Sequence, residues 1–329
     1  MATAATAQDP PAAMKSFAAF QRIDLNRLLG GDILVERGSL MNFPNGISGQ
    51  TCFAVALPAS ETARRIQTWD PSPHSDLKVF AFHSLRMPCE LTDFQSLDFR
   101  SSQYPIRWLL DKTLASTPAK SDLNLTREEA KTLASCAPKR SDPQKIATCW
   151  ANLLFDRATR FQQKGLADVP PYEPGGQTVE PVAQLRKMLL EQPDVVHEFS
   201  PILKTMGLLG KEAAASPPAP FYYWSLFDAD HHGTISLGTV YLLPVNDHYQ
   251  LADIGYYVSG NYYTSITLYE VWPIQSGDKT GSLVWRGDYF AAPTLAFTKG
   301  TERIAYGALM LQDIKKEIRF FQDDLKASR

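Results

Sequence analysis

Residues 249–272 read YQLADIGYYVSGNYYTSITLYEVW, the clearest secondary-structure signal in the chain. Bulky residues alternate with smaller or polar ones on both sides of Gly260-Asn261, as in paired β-strands. Glycine and asparagine tolerate the positive φ angles of a two-residue turn, so the stretch predicts an antiparallel hairpin. One face of the first strand carries Gln250, Ala252, Ile254, Tyr256 and Val258, and one face of the second carries Tyr262, Thr264, Ile266, Leu268, Glu270 and Trp272.

Three neighbouring segments extend this hairpin into a meander. Residues 221–227, 233–243 and 282–290 are rich in aromatic and β-branched residues and are separated by turn-forming residues. From Thr301 the apolar residues recur at steps of three and four, which predicts a long amphipathic helix. Its apolar stripe consists of Ile304, Leu311, Ile314, Ile318, Phe321 and Leu325. We expect this stripe to pack on the sheet.

The preceding half of the chain adds strands and then helices. Residues 51–57 and 77–85 read as strands on either side of a helix, and residues 106–212 read as helical. In that block Thr126 and Glu129 form a capping box, and Asp142-Pro143 starts another helix. The predicted fold class is α+β, with a curved antiparallel sheet packed on a long C-terminal amphipathic helix and a helical insertion in the middle of the chain.

Composition changes divide the sequence into four parts. Residues 1–16 are expected to be a disordered tail, 17–105 an N-terminal α+β part, 106–215 the helical insertion with a Pro-rich linker at its end, and 216–329 the meander with its helix, in one sheet with 51–85. Ala5-Thr6-Ala7 resembles the end of a secretory signal, which favours a secreted or periplasmic protein. A plain alanine-rich cytoplasmic tail is the alternative.

The four cysteines bear on the same question. Cys52, Cys89, Cys136 and Cys149 are compatible with two disulfides in an oxidising compartment. Cys136 and Cys149 flank a turn between two helical segments and are well placed for a bridge. For Cys52 and Cys89, buried thiols are an equally good interpretation.

Charge and motifs exclude several functional classes. The net charge of −2 gives no electrostatic signature of nucleic-acid binding, and no apolar run reaches the length of a membrane span. Glycine-rich nucleotide loops are absent, so we predict no cofactor. The sequence leaves the oligomeric state open, and whether the protein is an enzyme.

One local pattern suggests a metal. Asp228, Asp230 and the glycine at 233 are spaced as in a calcium-binding EF-hand loop, and His232 adds an imidazole. The twelfth position is Thr239 rather than a carboxylate, and the flanks read as strands. A hairpin turn is therefore the competing interpretation.

Charged residues also interrupt the predicted strands. Asp253, Glu270, Arg286 and Asp288 are candidates for binding or for acid and base chemistry. If Arg286 and Glu270 face inward, they would pair in a cavity and orient a polar ligand group. If they face outward, they form a solvated cross-strand pair.

The order of elements in residues 51–85 and 221–326 resembles the START-like helix-grip (SRPBCC) superfamily. That resemblance implies a sheet that wraps around the last helix and encloses an apolar ligand tunnel. It suggests an exported carrier of a lipid-like or aromatic small molecule. The ligand-binding residues would be Tyr256, Tyr262, Ile266, Glu270, Trp285, Arg286, Leu311 and Ile314, whose alternative role is core packing.

Two other classes of function remain open. The first is a secreted hydrolase that uses Asp253, Glu270 or Asp288 without a cofactor. The second is a protein-interaction module that presents an aromatic sheet face. A carrier requires a closed apolar cavity above about 300 Å³, whereas a hydrolase requires an open cleft that contains a carboxylate of raised pKa.

Overall fold

The computed structural model describes residues 10–136, 142–210 and 219–327. Within them, eight strands form one curved, open antiparallel sheet. The strands are β1 (Ile33–Arg37), β2 (Gly46–Val55), β3 (Val79–Leu85), β4 (Phe221–Ala229), β5 (His232–Val245), β6 (His248–Val258), β7 (Thr264–Ser276) and β8 (Lys279–Ala291). Their order across the sheet is β1-β2-β8-β7-β6-β5-β4-β3, so β1 and β3 are the edges.

Helices cover both faces of this sheet. They are α1 (Pro10–Met14), α2 (Leu25–Leu29), α3 (Ala59–Thr68), α4 (Tyr104–Ala115), α5 (Arg127–Cys136), α6 (Pro143–Lys164), α7 (Pro181–Leu190), α8 (Pro193–Glu198), α9 (Ser200–Thr205) and α10 (Thr301–Ala327). Helices α3 and α10 pack on one face, and α4, α7 and α9 on the other. The predicted α+β class, with its long C-terminal helix and middle helices, is confirmed.

The sheet separates two apolar cores. On the face under α10, here called the α10 face, strand residues Leu251, Val271 and Val284 contact Ile318 and Phe321 of the helix. On the opposite face, here called the insertion face, strand residues such as Ile266 and Trp285 pack with the helices of the insertion. Alternation at period two assigns neighbouring strand residues to different cores.

Local signals in the sequence account for several element boundaries. The backbone N–H of Glu129 donates to Thr126 Oγ1, and that of Thr126 donates to the Glu129 carboxylate, which confirms the capping box. Asp142 accepts from the backbone N–H of Lys145 and so caps α6. Such caps satisfy backbone donors that the first helical turn leaves without a partner.

The hairpin of β6 and β7 is confirmed, but its connection differs from the prediction. Five residues separate Val258 from Thr264 instead of the two-residue Gly260-Asn261 turn. Asn261 does adopt a positive φ of 70°. The resulting register pairs Gln250 with Glu270, so these side chains share the insertion face.

Two predictions for the N-terminal part were wrong. Strand β2 begins at Gly46 rather than at residue 51, because residues 46–50 pair with β8 along their length. Residues 10–14 form α1 where a disordered tail was expected, and Met14 is buried in the core. Residues 1–9, with the signal-like Ala5-Thr6-Ala7, lie outside the described residues, as does the whole Pro-rich linker at residues 213–218.

One of the two possible disulfides is present. Cys136 at the end of α5 is bonded to Cys149 in α6, whereas Cys52 and Cys89 are buried free thiols. Cys52 lies on β2 and Cys89 follows β3, and five strands separate β2 from β3 in the sheet. At about 4.8 Å per strand, that separation far exceeds the reach of a disulfide.

Candidate functional site

A pocket of about 430 Å³ opens beside the edge strand β3 on the insertion side. Three segments surround it: the loop before β3, β3 itself, and the connection leading into α4. Its apolar lining is Pro73, Val79, Phe80, Ala81, Leu97, Ile106 and Leu226, and its polar lining is Ser72, Ser75, Lys78, Ser96, Asp98, Ser101 and Gln103.

The chemistry of this pocket is mixed. Leu97, Ile106 and Leu226 are buried and form an apolar floor. Lys78 pairs with Asp228 at 3.3 Å, and hydrogen bonds from Arg100 lower the pKa of Asp98. Both charged side chains that line the pocket therefore already have a partner, and uncharged hydroxyl and amide groups supply most of the remaining polarity.

A second polar group lies on the α10 face. Arg286 projects from β8 between Asp288 and Glu317 of α10, with nitrogen to oxygen distances of 2.9 Å to each. Asp288 is fully buried and also accepts from Thr267 at 3.0 Å. Burial disfavours the guanidinium charge, but the two carboxylates outweigh this effect and raise the pKa of Arg286. The result is a closed ion-pair network that ties α10 to the sheet.

Asp253 belongs to the same face, and the described residues supply no ion-pair partner for it. Tyr223 donates a hydrogen bond to its carboxyl at 2.8 Å. Gly238, opposite Tyr223 on β5, leaves room for the tyrosine, because a β-carbon there would overlap the ring. Burial raises the pKa of Asp253 to about 7, although Tyr223 and Arg286 act in the opposite direction.

The space beneath α10 is nearly filled. A cavity of about 30 Å³ lies between Arg286, Glu317 and Tyr269 on one side and Trp69 and Phe321 on the other. That volume corresponds to roughly one water molecule. This cavity is much smaller than the apolar tunnel that the START-like resemblance implies between sheet and C-terminal helix.

A third polar group lies on the insertion face. His248 Nε2 is 2.8 Å from Glu270 Oε1, and both residues are almost fully buried. Gln250 lies beside them and donates to the backbone carbonyl of Glu198 at 3.0 Å. The ligand atoms of Glu198, His248 and Glu270 all lie within 4.8 Å of one another.

Burial dominates the electrostatics of this group. It raises the pKa of Glu270 to about 7, with His248 acting in the opposite direction. For His248, burial disfavours the charged ring, but Glu270 and Asp247 outweigh it and raise the pKa. Within the described part of the chain, Glu270 Oε2 and Gln250 Oε1 have no hydrogen-bond partner.

The sheet divides the residues predicted to bind a ligand. Tyr256, Ile266 and Trp285 are core residues of the insertion face, and Tyr256 stacks on Phe161 of α6. Leu311 and Ile314 are buried on α10, on the other side of the sheet. Tyr262 lies in the connection after β6, edge-on to Phe290 at 6.0 Å.

The suggested pairing of Glu270 with Arg286 was wrong. The register aligns Glu270 with Trp285, and Tyr269 with Arg286, so the two charged side chains point to opposite faces. Both are buried, which also excludes the solvated cross-strand pair.

Asp228, Asp230 and His232 lie at the hairpin between β4 and β5. Asp230 and His231 form the turn, with φ angles of 52° and 64°. Asp228 pairs with Lys78, and His232 packs on the ring of Trp108 at 4.3 Å. Strands rather than helices flank this turn, in accord with the hairpin interpretation.

Several residues of these sites carried no signal in the sequence. Glu198 and His248 are fifty residues apart, and only the docking of α8 on β6 and β7 brings them together. The polar pocket residues lie in loops, where no periodicity indicates which way a side chain points. Asp253, Glu270 and Asp288 were recognisable because each is a charge within an apolar strand.

Comparisons with protein-family models, curated proteins and solved structures found no match. Among the helices of the described residues, none combines the length and apolarity needed to cross a bilayer.

Proposed function

We propose that the protein binds a small amphipathic molecule in the pocket beside β3. The observation that carries this proposal is the volume of that pocket, about 430 Å³. Small-molecule sites typically occupy about 300–1,000 Å³ and combine apolar walls with a few polar groups. The pocket beside β3 has both properties.

The lining indicates the class of ligand. An apolar part of the molecule would contact Leu97, Ile106 and Leu226, which form the buried floor. Hydroxyl or amide groups of the ligand would bond to the serines and Gln103 around the rim. We therefore expect a compact molecule with an apolar core and uncharged polar substituents rather than a long lipid chain.

This proposal departs from the location that the START-like resemblance implies. In that superfamily the ligand lies between the sheet and the last helix, where this chain has an ion-pair network and a 30 Å³ cavity. The resemblance itself stays a prediction. Export stays part of the proposal, and the Cys136–Cys149 disulfide supports it, because such bonds persist in oxidising compartments.

The proposal can be tested by filling the pocket. Ala81 lines it and lies opposite Leu226, whereas Ser84 is exposed on the same strand. Native mass spectrometry of wild type, followed by extraction, identifies a ligand if one is bound after purification. If none is bound, a thermal-shift screen of small molecules supplies one. We expect Ala81→Trp to bind the ligand at least about tenfold more weakly, a loss of about 1.4 kcal/mol.

Ser84→Trp adds the same side chain to the same strand outside the pocket, so its affinity should equal that of wild type. Circular dichroism establishes that both variants are folded. Equal affinity in folded Ala81→Trp and wild type would refute the pocket as the site. Failure of a broad screen to yield any ligand would contradict the proposed function.

A further inference from the structure

The histidine and carboxylate group on the insertion face has the composition of a metal site. In residues 10–136, 142–210 and 219–327, one group of three potential ligands comes together, and it consists of Glu198, His248 and Glu270. The Gln250 side chain offers a further donor, its carbonyl oxygen, because its amide nitrogen is bonded to the backbone carbonyl of Glu198 and its partner across the strands is Glu270. Two carboxylates, an imidazole and an amide oxygen are ligand types that divalent transition metals accept.

We propose that Glu198, His248 and Glu270, assisted by Gln250 Oε1, bind one divalent transition-metal ion of the zinc or manganese type. The ion would lie between α8 and the paired strands β6 and β7. It would link the helical insertion to the sheet. This site is separate from the pocket beside β3, and neither depends on the other.

Unpaired acceptors are the main argument for a cation. Glu270 is fully buried; its Oε1 contacts His248 Nε2 at 2.8 Å, but its Oε2 has no hydrogen-bond partner among the described residues. Gln250 Oε1 is likewise without a partner there. A buried acceptor that lacks a partner costs about 1–3 kcal/mol, and more when it is charged. One cation between these atoms would satisfy them together.

The contact of His248 with Glu270 does not remove this need. The 2.8 Å contact of His248 Nε2 occupies one oxygen of the Glu270 carboxylate and leaves the other, Oε2, for a cation. Charge balance also favours a divalent ion: two carboxylates and a neutral imidazole carry a charge of −2. On binding, the proton held by the imidazole and carboxylate pair is released to solvent, and the imidazole nitrogen becomes a ligand.

The geometry requires a small adjustment. The three ligand atoms lie within 4.8 Å of one another, whereas ligands at about 2.1 Å from one ion are at most about 4.2 Å apart. Glu198 is the last residue of α8 and is partly exposed, so its side chain is free to rotate. His248 and Glu270 are held by their strands and need not move far.

The experiment measures metal uptake by the intact protein. Apoprotein treated with a chelator is incubated with Zn²⁺ or with Mn²⁺ alone and then dialysed, and bound metal is quantified by elemental analysis. We expect about one equivalent of one of these metals in wild type. Glu270→Gln and His248→Asn should reduce affinity at least about tenfold in titration calorimetry, because each removes a ligand.

His197→Asn is the matched control, since His197 is exposed on the same helix as Glu198. It should bind metal as wild type does, which separates the site from adventitious surface histidines. Glu198→Gln is a second variant at the surface end of the site, where loss of folding is least expected. Circular dichroism verifies that each variant is folded.

The proposal would be overturned if wild type took up neither Zn²⁺ nor Mn²⁺ stoichiometrically. So would equal uptake by folded wild type, Glu270→Gln and Glu198→Gln. As an independent readout, the bound metal should raise the melting temperature of wild type and His197→Asn, but not of Glu270→Gln. An equal rise in all three would also contradict the site.

Discussion

At the scale of single residues, Asp253 is a partly buried carboxyl that has no ion-pair partner among the described residues. Its pKa is raised to about 7 by burial, so the folded protein holds a proton that the unfolded chain releases near pH 4. Arg286 does not neutralise it, because Asp288 and Glu317 already pair with that guanidinium. Since the folded state binds more protons between about pH 4 and 7, stability falls as the pH rises through this range.

We therefore expect Asp253→Asn to stabilise the protein at alkaline pH. The asparagine oxygen can still accept from Tyr223, while the cost of a buried charge is removed. The free energy of unfolding should rise by about 4 kcal/mol at pH 8 and by less than about 1 kcal/mol at pH 4, as measured by urea unfolding, since each pKa unit is worth about 1.4 kcal/mol. Asp278→Asn, at an exposed turn, is the control and should show no such difference. A gain that is equal at both pH values would refute the explanation.

Residue alternation within one strand was predictable, but its relation to a neighbouring strand was not. Period two correctly grouped Ile266 and Leu268 on one face. The face of Arg286 relative to Glu270 depends on the register of β7 with β8, which the turn at 276–279 sets. A register shift of one residue would move every side chain of β8 to the other face of the sheet. The wrong pairing of Glu270 with Arg286 therefore followed from one unknown quantity, the register of β7 with β8.

At the scale of elements, α10 allows a matched test of burial. Ile318 is almost completely buried against the sheet, whereas Ile304 on the same helix is 46% exposed. Ile318→Ala should lower the free energy of unfolding by about 3 kcal/mol, because it leaves a cavity in the core. Ile304→Ala should change it by less than about 0.5 kcal/mol in the same urea titration. Equal effects would mean that α10 is not packed as described.

Strong periodicity explains which elements the sequence predicted well. The α10 stripe from Leu311 to Leu325 is buried as expected. A stripe that extends over several turns identifies the buried face of a helix even when one of its members, here Ile304, is exposed. The start of β2 was missed, because Asn45-Gly46 reads as a turn while its pairing with β8 is a long-range contact. The apolar spacing of residues 17–29 favours a single helix, yet α2 begins only at Leu25, and Phe17 and Phe20 fill the core from irregular chain.

At the scale of the whole molecule, the sheet separates two faces that differ in the space they leave for a ligand. Its α10 face is closed by Arg286, its two carboxylate partners and a packed helix. Helices of the insertion pack on its insertion face, and beside β3 the edge of the sheet and the segment before α4 leave the 430 Å³ pocket. A sequence that predicts the layers does not predict this gap, because it depends on how irregular segments pack against an edge strand.

The insertion is itself held together by the Cys136–Cys149 bridge, which joins α5 to α6 across a separation of 13 residues. Closing a loop of this length stabilises a fold by about 3 kcal/mol, chiefly by restricting the unfolded chain. The double variant Cys136→Ser with Cys149→Ser should therefore lose about that amount of unfolding free energy. Reductant should lower the unfolding free energy of wild type to that of the double variant and leave the double variant unchanged.

A thiol titration checks the bridge independently. Because Cys52 and Cys89 are free thiols, denatured wild type should titrate two thiols before reduction and four afterwards. Four thiols before reduction, or an effect of reductant on the double variant, would contradict the bridge as the source of this stability.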